Sequence, residues 1–355
     1  MSLVYSEIKQ VFDTIRLPLA DLIARSNPLL RSLPKRAVAS DAIYLRTKMS
    51  SDHNARAIED GSAVILDSPK TNYVAGKLDW ATYIAEFSIP KRLIAQAEGQ
   101  PGMLGRLVLA EIEDAAKDLA DKIAVDLWGG TTANGLVGMQ TVVANNNTYA
   151  GIDRTVASNA NWRAVVTDAG GAEISSSLMR IMDRNFFNRN KYGFLEAPTK
   201  FTGMTTAAFM AKYAGLLTDV NISLTSGTVP AIQANALNRG MLEDFGSVIG
   251  YAGIPFLRNA NISIPDTDTA DTSRLYILDP EYWFLATLSN DLSEAAVHQT
   301  LGANVAPVVD GIRADVEILG NTGEILNGYI KTYVQLVCTD PAKGGTVLKN
   351  VDVSE

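Results

Sequence analysis

The sequence predicts an α+β chain with far-reaching elements, and three observations carry that expectation. A long amphipathic period fills residues 102–128. Two β-prone stretches, 41–49 and 74–89, flank a long polar connection. Residues 229–340 break into short apolar runs of strand character, with little helical period. A long helix beside a long hairpin implies an elongated subunit.

The elements follow in order. Residues 1–33 read as an arm. Tyr5, Ile8, Phe12, Ile15, Leu19 and Leu22 recur near helical spacing, while Pro18, Pro28 and Pro34 interrupt the segment. A short amphipathic helix is marginal alone, so it is expected to pack on the body or on a neighbour. Residues 41–49 (DAIYLRTKM) alternate as a strand, and 74–89 (VAGKLDWATYIAEFSI) continue as a second β stretch. The polar run between them is longer than a compact domain normally tolerates, which suggests a loop that reaches another chain.

Leu104, Val108, Ile112, Ala115, Leu119, Ile123 and Leu127 share one face of a helix over 102–128. Glu113/Lys117 and Asp118/Lys122 are spaced to pair along its exposed side, and Gly129-Gly130 ends it. A Gly/Asn/Thr-rich region, 129–150, reads as loop with short strands. A second helix is expected over 174–188, with Leu178, Ile181, Met182 and Phe186 aligned, and another from about Thr206. Residues 275–278 (LYIL) form a strand that stops at Asp279-Pro280. In 329–338, Ile330, Val334, Leu336 and Cys338 take one face, and Tyr329, Lys331, Tyr333 and Gln335 the other.

Composition excludes several classes. At 355 residues, 47% hydrophobic and 20% charged, the chain has the makeup of a globular protein of one or two domains. No run reaches the roughly 18 apolar residues of a membrane span, and the charged start is unlike a secretory signal. Cys338 is the single cysteine, so it has no partner for an internal disulfide; it reads as a small buried hydrophobe, and a cytosolic origin fits. Net charge is −8, unevenly spread: residues 1–50 hold eight Lys and Arg against four acids, leaving −12 on the remainder. An acidic body argues against wrapping nucleic acid.

Catalytic, cofactor-binding and metal-binding residues are all expected to be absent. The two histidines, His53 and His298, lie far apart without cysteine or histidine at metal spacing. No phosphate-binding glycine loop and no G-x-S-x-G turn occur. Lys343-Gly344-Gly345-Thr346 lacks the upstream glycine and reads as a turn between terminal strands. Glu111/Glu113 and Glu243/Asp244 read as solvated faces. Asn146-Asn147-Thr148 has the form of a glycosylation sequon, which without a secretory signal carries no weight. Aromatics are 7% of residues and are not interleaved with Lys and Arg, so no base-stacking platform is indicated.

Gly151-Ile152-Asp153-Arg154-Thr155, followed by Asn161-Trp162-Arg163-Ala164, resembles the GIDR…W stretch of tailed-bacteriophage major capsid proteins. YAGIPFLRNANI (251–262), LYILDPEYW (275–283) and YVQLVCTDPAKGGTVLKNV (333–351) are similar in style and follow in the right order. The resemblance implies the HK97-like capsid fold. Residues 1–40 would form the N-terminal arm and 41–90 the extended loop that overlaps a neighbour. Residues 91–164 and 306–355 would form the peripheral domain, with its spine helix at about 102–128, and 165–305 the axial domain.

It further implies hexamers and pentamers of an icosahedral or prolate virion head enclosing double-stranded DNA bound non-specifically. The partners would be further copies of the chain, a separate scaffolding protein, a portal protein and a possible decoration protein, with no membrane and no cofactor. The crosslinking triad of some relatives does not map here; Lys48, Lys70 and Lys77 near the loop read as solvated charges, so non-covalent shells are expected. An encapsulin-like nanocompartment shares the implied fold and is the first rival; a hydrolase built from Asp, Glu and Lys is the remote one.

Overall fold

The computed structural model describes residues 33–52, 70–90, 92, 101–129, 134–194, 198–224, 250–262, 272–288, 315–322 and 325–354. The polar connection after β2, both histidines, Glu243/Asp244 and most of the expected arm lie outside these residues. In chain order the strands are β1 (Lys35–Val38), β2 (Ile43–Asp52), β3 (Lys70–Leu78), β4 (Ala81–Pro90), β5 (Thr148–Tyr149), β6 (Ile152–Asp153) and β7 (Val165–Asp168). They continue with β8 (Thr202–Thr205), β9 (Gly250–Tyr251), β10 (Ile254–Arg258), β11 (Thr272–Leu278), β12 (Trp283–Leu288), β13 (Asp315–Thr322), β14 (Ile325–Cys338) and β15 (Gly345–Asp352). The helices are α1 (Pro101–Trp128), α2 (Met139–Val142), α3 (Ser176–Asn190), α4 (Ala207–Leu224) and α5 (Pro341–Gly344). The chain divides into two units: 1–43, 79–139 and 283–337 form one, and 44–78, 140–282 and 338–355 the other.

In the first unit, α1 packs on β4. Its 28 residues span about 42 Å at 1.5 Å each. Ile112, Ala115, Leu119, Ile123 and Leu127 are buried at helical spacing, as the sequence expected, and Ala116 is buried beside them. β4 alternates strictly, turning Ala81, Tyr83, Phe87 and Ile89 inward. It pairs antiparallel with β14, Pro90 to Ile325 through Ala81 to Val334. β13 pairs with the same stretch of β14, and β1 runs parallel to β12. The 74–89 stretch, expected as one β segment, is broken at Asp79-Trp80: β3 pairs with β2, whereas β4 joins the five-stranded sheet. Gln335, expected on the outward face, is buried, because Oε1 accepts the Val137 and Leu336 N–H and Nε2 donates to the Asp79 carbonyl. Lys122 turns forward to Asp126 at 2.8 Å instead of back to Asp118.

The second unit carries a six-stranded sheet ordered β7-β15-β11-β8-β10-β9. β15 lies next to the edge strand β7, to which it is parallel, and runs antiparallel to β11 on its other side. β13 and nearly all of β14 fall in the first unit, and β15 in the second. α3 begins where Ser175 Oγ accepts the Leu178 N–H and ends at Lys191 in the left-handed region. Met179, Met182 and Phe186 face the core with Phe194, Phe201, Phe209 and Phe256. Ile181, expected on that face, is instead 38% exposed. Asp340 caps α5 by accepting the Ala342 N–H, so the expected turn at 343–346 is a short helix running into β15.

The tetrapeptide Tyr-Ala-Gly-Ile occurs twice, at 149–152 and 251–254, and makes the same two-residue hairpin turn each time. Both central residues have positive φ: Ala150 +53° and Gly151 +73°, then Ala252 +53° and Gly253 +85°. This is the twist that lets two strands meet across so short a loop.

Two glycines give opposite expectations. A Cβ on Gly203 in β8 would lie 2.4 Å from the Phe256 ring, whereas one on Gly215 in α4 meets nothing within 4 Å. Gly203→Ala should lower stability by about 1–3 kcal/mol through overpacking, and Gly215→Ala should raise it by up to about 1 kcal/mol through helix propensity. Thermal unfolding midpoints of the two variants check both signs.

Candidate functional site

The segment that carried the family resemblance folds around a buried cation. Arg154 is fully buried beside α2 and the β5–β6 hairpin. Its Nη1 donates to the carbonyls of Val142 at 2.7 Å and Ala144 at 2.6 Å, its Nε to Asn147 at 3.3 Å, and its Nη2 to Thr141. The fork of a guanidinium suits such a place, because several fixed donors meet several convergent carbonyls. Burial pushes its pKa down to about 10, which the fields of Tyr149 and Cys338 partly oppose. The group is therefore still a cation near neutrality.

Around it the other motif residues interlock. The guanidinium lies 5.4 Å from the centre of the Tyr149 ring, and that ring stacks on Trp162 at 5.8 Å. The Trp162 indole N–H donates to the Tyr149 carbonyl. The Tyr149 hydroxyl bridges the backbone of Cys338, accepting its N–H at 2.9 Å and donating to its carbonyl at 3.2 Å. Burial pushes the Tyr149 phenol and the Cys338 thiol up, so both are neutral at ordinary pH. A buried, protonated thiol of this kind is no nucleophile.

Asp153 is exposed and accepts from the N–H and hydroxyl of Thr155, which hold its carboxyl below the usual range. Arg163 closes the loop by donating to the carbonyls of Arg154, Thr155 and Val156.

The hairpin of β2 and β3 rests on this knot. Lys77 N–H donates to the Ala150 carbonyl at 2.9 Å, and Asn161 donates to the Met49 carbonyl. Gly76 lets the strand approach, since a Cβ there would sit 2.9 Å from the Cβ and the carbonyl oxygen of Ala150. Ile43, Leu45, Thr47 and Met49 turn inward, leaving Tyr44, Arg46 and Lys48 outward, with Arg46 over the Tyr73 ring at 4.4 Å. This strand face and the outer faces of α1 and α3 present mixed apolar and charged surface, the chemistry of contact with another chain. Among the described residues no group of His, Cys, Asp and Glu could hold a metal ion. No helix among them is long and apolar enough to cross a membrane.

No family model matches the chain, and no curated protein matches it in sequence. Solved structures do match its fold. A subunit of the cyanophage A-1(L) capsid aligns at 15% identity over 92% of this chain and 93% of that one, with a TM-score of 0.62. The SrpI encapsulin of Synechococcus elongatus PCC 7942 aligns at 12% identity over 93% and 90%, with a TM-score of 0.54. The capsid protein of Myoviridae phage XM1 aligns at 11% identity over 91% of each chain, with a TM-score of 0.52. The α+β fold is therefore the HK97-like fold that viral capsids and encapsulins share.

The knot predicts a steep substitution cost. Arg154→Lys keeps the charge and loses the fork, so the fourfold clasp on the carbonyls is broken and stability should fall by about 2–4 kcal/mol. Arg163→Ala, at the loop surface, should cost about 1 kcal/mol or less. Denaturant midpoints of the two variants test the ranking, and equal midpoints would contradict it.

Proposed function

We propose that this chain is the major subunit of a tailed-bacteriophage head, a structural protein that assembles with its own copies into hexamers and pentamers around double-stranded DNA. The observation that carries the reading is the agreement of fold over nearly the whole of both chains with a cyanophage capsid subunit. The GIDR…W segment supports a phage head in particular, because its residues build the knot on which the outlying hairpin rests. In this reading the hairpin of β2 and β3 overlaps a neighbour, α1 is the spine of the peripheral part, and the sheet bearing α3 and α4 gathers around the capsomer centres. No catalysis is required: burial makes the thiol inert, and the exposed chemistry suits protein contact. The protein would reside in the virion capsid, with a separate scaffolding protein and a portal as assembly partners.

The encapsulin likeness supports a second reading, a shell that holds protein cargo. Purified particles separate the two. Regular closed polyhedra in negative stain, with nucleic acid when recovered from virions, are expected; regular shells carrying protein cargo would favour the second reading, and dispersed monomers would defeat both.

The shells should also be non-covalent. Boiled, denatured particles are expected to run as a single band near 38.1 kDa, and a ladder of multimers would show crosslinking. Assembly from the chain alone should give shells of variable size, since a separate scaffold sets curvature; uniform shells without it would remove that partner.

A further inference from the structure

Two helices turn stripes of opposite charge away from their own cores. On α3, Arg180, Arg184, Phe187 and Lys191 recur at spacings of four, three and four, all exposed. Phe187 is 41% exposed, and Ile181 beside the stripe is 38% exposed. The one carboxylate of α3, Asp183, is engaged locally, accepting the Phe194 N–H at 2.9 Å. On α1, Glu111, Asp114, Asp118, Asp121 and Val125 recur at three, four, three and four, again all exposed, with Val125 at 50%. Lys122 is drawn off this stripe to Asp126.

Each helix already commits its other side: Met179, Met182 and Phe186 of α3, and Ile112, Leu119 and Ile123 of α1, are buried. The outward stripes are opposite in charge, and each carries an exposed apolar residue. Run antiparallel, they can set Asp121 against Arg184 and Asp114 near Lys191, the residue that caps α3, with Asp118 on Phe187 and Val125 on Arg180 beside Ile181.

We propose that the basic stripe of α3 in one subunit docks along the acidic stripe of α1 in a second copy, an inference that rests on the shell reading above. Charge complementarity fixes the partner and the register, and apolar side chains on both stripes supply dry contact between the charges. Packaged nucleic acid is the weaker occupant of the α3 stripe. Phosphates reward cations and have nothing to offer Phe187 or Ile181, and they leave the α1 stripe unexplained.

Charge reversal in two separate variants tests the docking. One carries Arg180→Glu and Arg184→Glu, the other Asp118→Lys and Asp121→Lys. Each alone should yield at least tenfold fewer particles than wild type, and an equimolar mixture should recover them, because each variant then finds its complement only on the other. Two results overturn the proposal: either variant assembling like wild type, or recovery when all four substitutions share one chain but not in the mixture. Normal particle yield with less retained nucleic acid from the α3 variant would assign that stripe to nucleic acid instead.

Carboxylate labelling of the wild type gives a readout independent of any variant. Asp114, Asp118 and Asp121 should be labelled at least fivefold less in particles than in free subunits. Undiminished labelling in well-formed particles sinks the docking alone, whereas wild type that forms no particles sinks the shell reading itself.

Discussion

The buried guanidinium of Arg154 is the contact on which most of the second unit's irregular structure depends. It draws the carbonyls of Thr141, Val142, Ala144 and Asn147 toward one point. A loop so gathered has little freedom left, and the elements touching it inherit that definition. Tyr149 holds the end of β14 through the Cys338 backbone. Ala150 receives the N–H of Lys77 from β3. Trp162 fills the space behind the Tyr149 ring. A hydrocarbon side chain of similar volume would fill the site but remove a donor from all four carbonyls; Thr141, Ala144 and Asn147 would keep one partner each, from the Asn147 side chain and the Ala164 and Arg154 N–H, and the Val142 carbonyl would lose its guanidinium donor.

The buried residues of the segment that carried the resemblance are therefore spent on the interior. Gly151, Ile152, Arg154 and Trp162 serve the interior: a positive-φ turn, an apolar plug, a hub of donors and an aromatic wall. Small errors of angle at the base of a hairpin grow along its length. The knot sits at that base.

Periodic features were legible in the sequence. α1 announced itself through residues at 3.6 spacing, and β4 and most of β14 through strict alternation. Features that depend on a partner were not. Arg154 reads as one more charge until the carbonyls around it are placed. Gln335 looked outward by alternation, and three backbone groups reverse that. Ile181 sits one position from Met182 on a helix whose core stripe is narrow, so period alone assigned it to the wrong side. The break at Asp79-Trp80 lies in a continuous run of β-prone residues, and the two strands differ in which sheet receives them, a choice that local propensity does not encode. The net charge of −8 similarly hides a division: acids outnumber bases among the described residues of the first unit, and bases outnumber acids in the second.

The place of β15 between β7 and β11 sets an order of events during synthesis. β7 and β11 are made long before Gly345–Asp352, yet β15 lies between them and pairs with both. Until β15 is made the two strands have no common neighbour, and β7 stands apart from β11, β8, β10 and β9. Contacts this distant in sequence form slowly. β7 therefore joins the other strands of its sheet only once β15 has been made and has paired with it.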